Sequence, residues 1–145
     1  MVVAMPALST TRWVLNNADS GPGSLRQAIA DAKPGDVIRI PSSGPAPLTI
    51  ALTSGELLID KNLSILGPGE NLLTISGSSN SRVFHNTPGV SCTLSGMTIQ
   101  EGSVSSVAGI PDSCGGAILN DNGSMSLSHC MLVYNYATRG GGVFN

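Results

Sequence analysis

Gly115-Gly116-Ala117-Ile118-Leu119-Asn120 returns as Gly140-Gly141-Gly142-Val143-Phe144-Asn145, with 145 − 120 = 25 residues between the two asparagines. A period of that size is the mark of a solenoid. Two short apolar runs, Met125 to Leu127 and Cys130 to Val133, lie between the copies, each bounded by polar or turn residues. The unit therefore reads strand, turn, strand, turn, strand. It cannot bury its own apolar face and must stack on neighbours of like kind. The second copy stops at its first strand, so either the chain is cut here or something else supplies the next layer.

Upstream, Arg12 to Asn16, with the apolar run Trp13-Val14-Leu15, reads as a first strand, and Asn17 to Gly23 has the composition of a loop. Ser24-Leu25-Arg26-Gln27 fits a capping box, with Ser24 as N-cap and Gln27 three residues on. A helix follows over about 24–33. Leu25, Ala28, Ile29 and Ala32 form one apolar stripe, with Arg26, Gln27, Asp31 and Lys33 on the other side. Lys33-Pro34-Gly35-Asp36 ends it. This amphipathic helix suits a cap laid across the start of a stack.

Val37 to Ile40 alternates as a strand with Arg39 outward. From Leu48 onward short apolar runs follow one another: Leu48 to Leu52, Leu57 to Ile59, Leu63 to Leu66, Leu72 to Ile75, Val83 to Phe84, Cys92 to Leu94 and Met97 to Ile99. Leu63-Ser64 matches Leu94-Ser95 at an offset of 94 − 63 = 31, and Leu94-Ser95 matches Leu127-Ser128 at 127 − 94 = 33. Layers of roughly 25 to 35 residues with turns of varying length follow. Ser103 to Asp112, without a strand signal, reads as an insertion at one corner.

The expectation is an all-β chain: a parallel β-helix of about four to five coils, capped by the short N-terminal helix. Residues 1–11 form an arm and 12–145 a single domain, with coils over about 37–145 and the C-terminal coil incomplete. Leucine-rich repeats share the period but need an L-x-x-L-x-L-x-x-N pattern that is not present. An antiparallel sandwich remains an alternative, although its hairpins would not produce the Gly-Gly echo.

Asn17 to Ile29 resembles the N-terminal signature of secreted bacterial proteins with a right-handed parallel β-helix of pectin-lyase-like type. Asn62 to Gly69, Leu72 to Gly77 and the Gly-Gly-x-apolar-apolar-Asn echo are similar to coils of the same group. The resemblance covers nearly the whole chain. It implies a right-handed, helix-capped solenoid of large cell-surface and adhesin-like proteins, most without demonstrated activity. Those relatives run through more coils, whereas this chain stops early with no recognisable C-terminal cap, barrel or anchor.

Composition agrees with stacked layers. Charged residues are 11% and aromatics 3%, against about 25% charged in ordinary globular chains, so the core is built from Val, Ile, Leu and small side chains. A net charge of −2 with scattered basic residues leaves no footprint for nucleic acid. No apolar run approaches the roughly 18 residues of a membrane span. Met1 to Leu8 is too short for a complete export signal and lacks its basic start. It reads as a trimmed signal, an expression start or a pairing arm. Cys92, Cys114 and Cys130 have no metal-binding spacing; they are buried free thiols or, in an exported protein, one disulfide and a leftover thiol.

Catalysis on this scaffold needs clustered carboxylates or a Ca²⁺ site with a base. Asp19, Asp31, Asp36, Glu56, Asp60, Glu70, Glu101, Asp112 and Asp121 are spread thinly, without an Asp-x-Asp pair. Asp121-Asn122-Gly123 is a turn signal. His129 and Cys130 are strand neighbours that face opposite sides, so His129 reads as outward and solvated. His85 lies near a turn; Arg82 and Arg139 precede apolar strand starts and read as solvated flanks, with binding of a carboxylate or sugar the alternative. Thr49, Thr74, Thr93 and Thr98 form no sustained ladder of the kind ice binding uses. Asn120 and Asn145 read as equivalent, stacked turn residues. No catalytic, cofactor or metal site is expected.

The expected working surface is Gly140, Gly141, Gly142, Val143, Phe144 and Asn145, whose open coil would self-associate as a head-to-tail filament or an end-to-end dimer. Ser24, Leu25, Gln27, Ala28, Ile29 and Ala32 carry the capping helix. The expected setting is extracellular or cell-surface. A glycan- or surface-binding module of an adhesin is the alternative, and an incomplete polysaccharide lyase or hydrolase the lesser one.

Overall fold

A computed structural model describes residues 1–5, 8–42, 44, 46–105 and 113–145. In chain order the elements are β1 (Thr11–Trp13), α1 (Leu25–Asp31), β2 (Asp36–Arg39), β3 (Leu48–Ala51), β4 (Leu57–Ile59), β5 (Leu63–Leu66), β6 (Leu73–Ser76) and β7 (Phe84–Asn86). After them come β8 (Ser91–Gln100), β9 (Ser103–Val104), β10 (Ile118–Asn120), β11 (Ser124–Val133), β12 (Tyr136–Ala137) and β13 (Val143–Phe144). One short helix and many short strands make an all-β chain. Every strand pairing among the described residues is parallel.

The pairing follows the sequence repeat. β2 pairs β5, β5 pairs the first half of β8, and β8 pairs β11. β3 pairs β6, which pairs the second half of β8. β4, β7, β10 and β13 stand in that order in a separate sheet. Later strands thus extend parallel ladders begun by earlier ones, in more than one sheet.

Alternation decides which side chains point inward. In β2, Ile38 is buried while Arg39 is exposed; in β4, Leu57 and Ile59 are buried around an exposed Leu58. The inward Ile, Leu, Val and Phe side chains make one continuous core.

Three sequence expectations change. The runs Cys92 to Leu94 and Met97 to Ile99 belong to one ten-residue strand, β8, and the runs Met125 to Leu127 and Cys130 to Val133 to another, β11. The intervening residues bend each strand without breaking its ladder. Gly96 has φ 68° and faces His129 with φ 50° between the register pairs Ser95/Ser128 and Met97/Cys130. A Cβ on Gly96 would meet the carbonyl oxygen of Gly67, which explains glycine there.

The match of Leu63-Ser64 to Leu94-Ser95 also shifts. Leu63 pairs Cys92 and Ile65 pairs Leu94, an offset of 92 − 63 = 29, while the offset of 33 between β8 and β11 holds. A dipeptide match cannot choose between registers two residues apart, since both keep the same side inward. Third, Ser103 to Asp112 begins with a strand: β9 pairs β12. Residues 106–112 of that expected insertion lie outside the described set.

The N-terminal end is closed by α1 and the segments beside it. Ser24 caps the helix, accepting from the Gln27 backbone at 3.1 Å. The expected reciprocal half of the box is not formed: Gln27 Nε2 donates instead to Asp31 at 2.8 Å, and the Ser24 amide donates to Gly21 O. Leu25, Ile29 and Ala32 are buried and Ala28 packs against the core, as the stripe requires. Arg26, expected on the solvated side, is an anchor. Its guanidinium donates to Asp19 Oδ1 at 2.8 Å, Glu56 O at 2.8 Å and Gly55 O at 2.7 Å. Lys61 Nζ donates to Ile29 O at 3.1 Å, satisfying a carbonyl at the helix C-terminus.

Asp36 ties this end together. Its buried carboxylate accepts from the Lys33 amide, the Thr10 amide and hydroxyl, and Arg12 Nε, each at 2.9 Å. The amides of Lys33 and Thr10, helped by Thr10 Oγ1 and Arg12, hold its pKa well below the usual carboxylate range despite burial. With the folded-state value depressed, the stabilisation is complete above the unfolded value of about 3.9 and is lost as pH falls through the lower folded one. Asp36→Asn is therefore expected to melt at lower temperature than the parent at pH 7, with the gap narrowing below about pH 4. Circular-dichroism melting across pH checks this, and equal melting temperatures at pH 7 would refute it.

Candidate functional site: the open edge

The register arranges inward side chains in columns. Ile38, Ile65, Leu94 and Leu127 form one. Ile50, Ile75, Ile99 and Leu132 form a second, and Leu57, Phe84, Ile118 and Val143 a third. In each column the first three members are at most 1% exposed. The last member is not: Leu127 is 38% and Val143 41% exposed, and Leu132 is partly buried. These residues occupy core positions, with no strand on their free side among the described residues.

The backbone is open on the same side. Among the described residues, β11 pairs only β8, β12 only β9 and β13 only β10. β11 alone presents a ten-residue free edge, which is a template for another strand. The surface expected at Gly140 to Asn145 is thus one third of a larger one. Gly140 and Gly141 stack on Gly115 and Gly116 through backbone bonds of 3.1 Å to Gly116 and Ala117, and Val143 and Phe144 pair Ile118 and Leu119. Leu127 and Leu132 were not singled out in the sequence, although their place in the Leu94 and Ile99 columns would have marked them once the offset of 33 was extended through the bend.

The asparagines make a polar column beside the apolar ones. Asn86 Nδ2 donates to Asn120 Oδ1 at 2.7 Å, and Asn120 Nδ2 donates to Asn145 Oδ1 at 2.6 Å. Asn120 and Asn145 therefore stack as the sequence suggested. Asn86 is a third member, hidden in the sequence because its preceding residues are Phe84-His85 rather than the Gly-Gly motif. Between Asn120, Gly123, Ser124, Met125, Leu127, Val143 and Asn145 lies an open notch of about 400 Å³.

The other residues considered for chemistry have structural partners. Arg82, expected on a solvated flank, is 5% exposed. Its Nη1 lies 2.6 Å from Glu56 Oε2, and its Nε and Nη2 donate to the carbonyls of Gly115 at 3.0 Å and Cys114 at 2.8 Å. His85 Nδ1 lies 2.9 Å from Glu56 Oε1. A carboxylate only accepts, so Nδ1 carries the proton. The Glu56–Arg82–His85 cluster borders a cavity of about 470 Å³ with Ser81 and Ser103. No sequence signal announced it, because Glu56 is 29 residues from His85 and meets it only through the β4/β7 stacking.

His129 is exposed, as expected, and Arg139 is exposed too. Asp121 sits in the turn after β10 and accepts from Asn122 Nδ2 at 2.9 Å. Asp19 is held below its usual pKa: burial pushes it up, but bonds from Ser54 and Arg26 outweigh this. Thr49, Thr74 and Thr98 stack in one column, while Thr93 pairs Ser64, so the four make no Thr-x-Thr ladder, and with Thr74 and Thr98 buried there is no flat exposed array. Asp112 lies outside the described residues.

Cys92 and Cys130 are free thiols; Cys92 and Cys114 are buried and Cys130 is half-buried. Burial pushes the Cys92 thiol up to about 12 and also raises Cys130. Among the described residues no group of three or more His, Cys, Asp or Glu side chains is placed to hold a metal ion, and no helix is long and apolar enough to cross a membrane. Compared with known proteins, the chain matches no family model, no curated protein and no solved structure.

The asparagine column has a measurable energy. Removing the Asn120 side chain takes one bond from buried Asn86, whose Nδ2 keeps Val90 O at 2.9 Å, and one from exposed Asn145, and a net hydrogen bond is worth about 0.5–1.5 kcal/mol. Asn120→Ala is expected to lose about that much stability in urea unfolding; a loss below about 0.5 kcal/mol would show that the column is not a structural element.

Proposed function

We propose that the parallel sheets form a right-handed parallel β-helix of pectin-lyase-like type, and that the chain is a non-enzymatic, extracellular scaffold module that self-associates through its open edge. The observation that carries this reading is the exposure of Leu127 and Val143 at positions that are buried in every preceding layer. Covering each half-exposed aliphatic side chain is worth on the order of 1 kcal/mol, and the free ladder of β11 adds backbone hydrogen bonds.

The two ends are unlike, and this selects the mode of stacking. At the N-terminal end, Arg26 and Asn17 occupy the carbonyls of Gly55, Glu56 and Thr49, and α1 covers the core. A head-to-tail filament would have to displace them. An end-to-end contact between two copies of the open edge needs no displacement and closes on itself. In a preparation of this chain the second layer is therefore a second copy.

Size-exclusion chromatography with light scattering over a concentration series tests the proposal. A concentration-dependent dimer is expected, and Leu127→Lys combined with Val143→Lys should return it to monomer with the circular-dichroism spectrum retained. A monomer at every concentration overturns the reading. Open filaments would overturn the end-to-end mode and show that the capping helix is displaced.

A further inference from the structure

Resting on the extracellular reading above, we infer that Asn62 is the attachment site of an N-linked glycan. Asn62-Leu63-Ser64 is an N-x-S acceptor run, with a hydroxyl two residues after the asparagine and no proline between. Asp60 precedes Asn62 by two residues, so the run also fits the stricter acceptor that carries an acidic residue there. A run this short recurs by chance in a chain rich in Asn, Ser and Thr, so its surroundings decide.

A glycan is bulky and belongs on the surface, so its asparagine must reach solvent with its amide nitrogen to spare. Asn62 is exposed, in the turn between β4 and β5. Strand alternation buries Leu63 and leaves Asn62 and Ser64 on the outer side. The Asn62 amide is held by its oxygen alone: Oδ1 accepts from the Ser91 amide at 2.8 Å, and Nδ2 has no partner among the described residues. An N-linked sugar replaces one hydrogen of Nδ2 and leaves Oδ1 an acceptor. The bond to Ser91 therefore survives modification and aims the sugar. The backbone beneath is fixed as well, the Asn62 carbonyl accepting from the Gly35 amide at 2.7 Å.

The face beside Asn62 suits a sugar. An open groove of about 270 Å³ runs past Asn62, Ser64, Ser91, Thr93 and Ser126, and the four hydroxyls make no hydrogen bond among the described residues. Each can donate once and accept twice, which matches the hydroxyls of the first sugar ring. A second acceptor run, Asn122-Gly123-Ser124, lacks these features. There Nδ2 is turned onto Asp121 Oδ1 at 2.9 Å, and the asparagine is in the left-handed region with φ 51°. The transfer itself is one exchange. Asn62 Nδ2 loses a proton and gains a bond to the anomeric carbon of a lipid-pyrophosphate-linked sugar. The bond from that carbon to the pyrophosphate breaks, and the pyrophosphate leaves with the electron pair and takes up the proton.

The test is peptide mapping by mass spectrometry of the protein recovered from the cells that make it naturally, fractionated first into interior and exterior. Exterior protein is expected to carry a glycan mass on the peptide that contains Asn62. Ser64→Ala keeps the Asn62 amide and its bond to Ser91, and should lose that glycan completely with the circular-dichroism spectrum retained. Ser64→Thr should keep it, because either hydroxyl completes the acceptor. Asn62→Gln should lose it, and Asn122→Gln should keep it. Exterior protein with Asn62 bare, or a glycan at Asn62 that survives Ser64→Ala, overturns this site and leaves the extracellular reading standing. Protein confined to the cell interior overturns both.

Discussion

The fold depends on one constraint: each pass of the chain must lie in register on the pass before it. Parallel backbone ladders fix the height of the step, and inward side chains must then land on their equivalents. The column of Ile38, Ile65, Leu94 and Leu127 shows the rule, and the column of Leu57, Phe84, Ile118 and Val143 shows its tolerance, since a phenylalanine fits between leucine and isoleucine. Turns carry the variation in length. The distance from one layer to the next is 29 residues between β5 and β8, 33 between β8 and β11 and 25 between β10 and β13. A scaffold of this kind tolerates irregular corners because only the strands are held to register.

The same constraint makes the ends different in kind from the middle. Interior layers satisfy both edges from their neighbours. The N-terminal end satisfies its upper edge with side chains instead: Arg26 and Asn17 bind carbonyls, Asp36 gathers amides from Thr10 and Lys33, and α1 supplies apolar cover. The edge of β11, β12 and β13 has no such provision among the described residues. What it presents is a half-exposed core, a free ladder and two exposed tyrosines flanking an anchored asparagine.

Strand positions were legible in the sequence because Val, Ile and Leu recur in short runs between turn residues, and β4 and β5 were read to the residue. The repeat at β10 and β13 was legible because glycines mark it. Bends were not. Gly96 and His129 look like punctuation, yet parallel pairing continues through them, and periodicity cannot distinguish a turn from a left-handed residue within a strand. β9 and β12 are two residues long and pair across 33 positions, too little sequence for any pattern. Buried charge was the other omission. Arg82 has no local signal for burial; it is drawn inward by Glu56 and by carbonyls that the fold assembles from distant segments. One third of the open edge was readable from the repeated Gly-Gly motif, and the remainder required knowing which strand lies above which.

Hydrogen exchange of the β11 amides, followed by mass spectrometry over a range of protein concentrations, tests most directly whether the open edge is a stacking surface. Protection of Ser124 to Val133 should rise with concentration, while the amides of β5, paired on both sides within one copy, stay constant. Exchange in β11 that is independent of concentration would contradict the account.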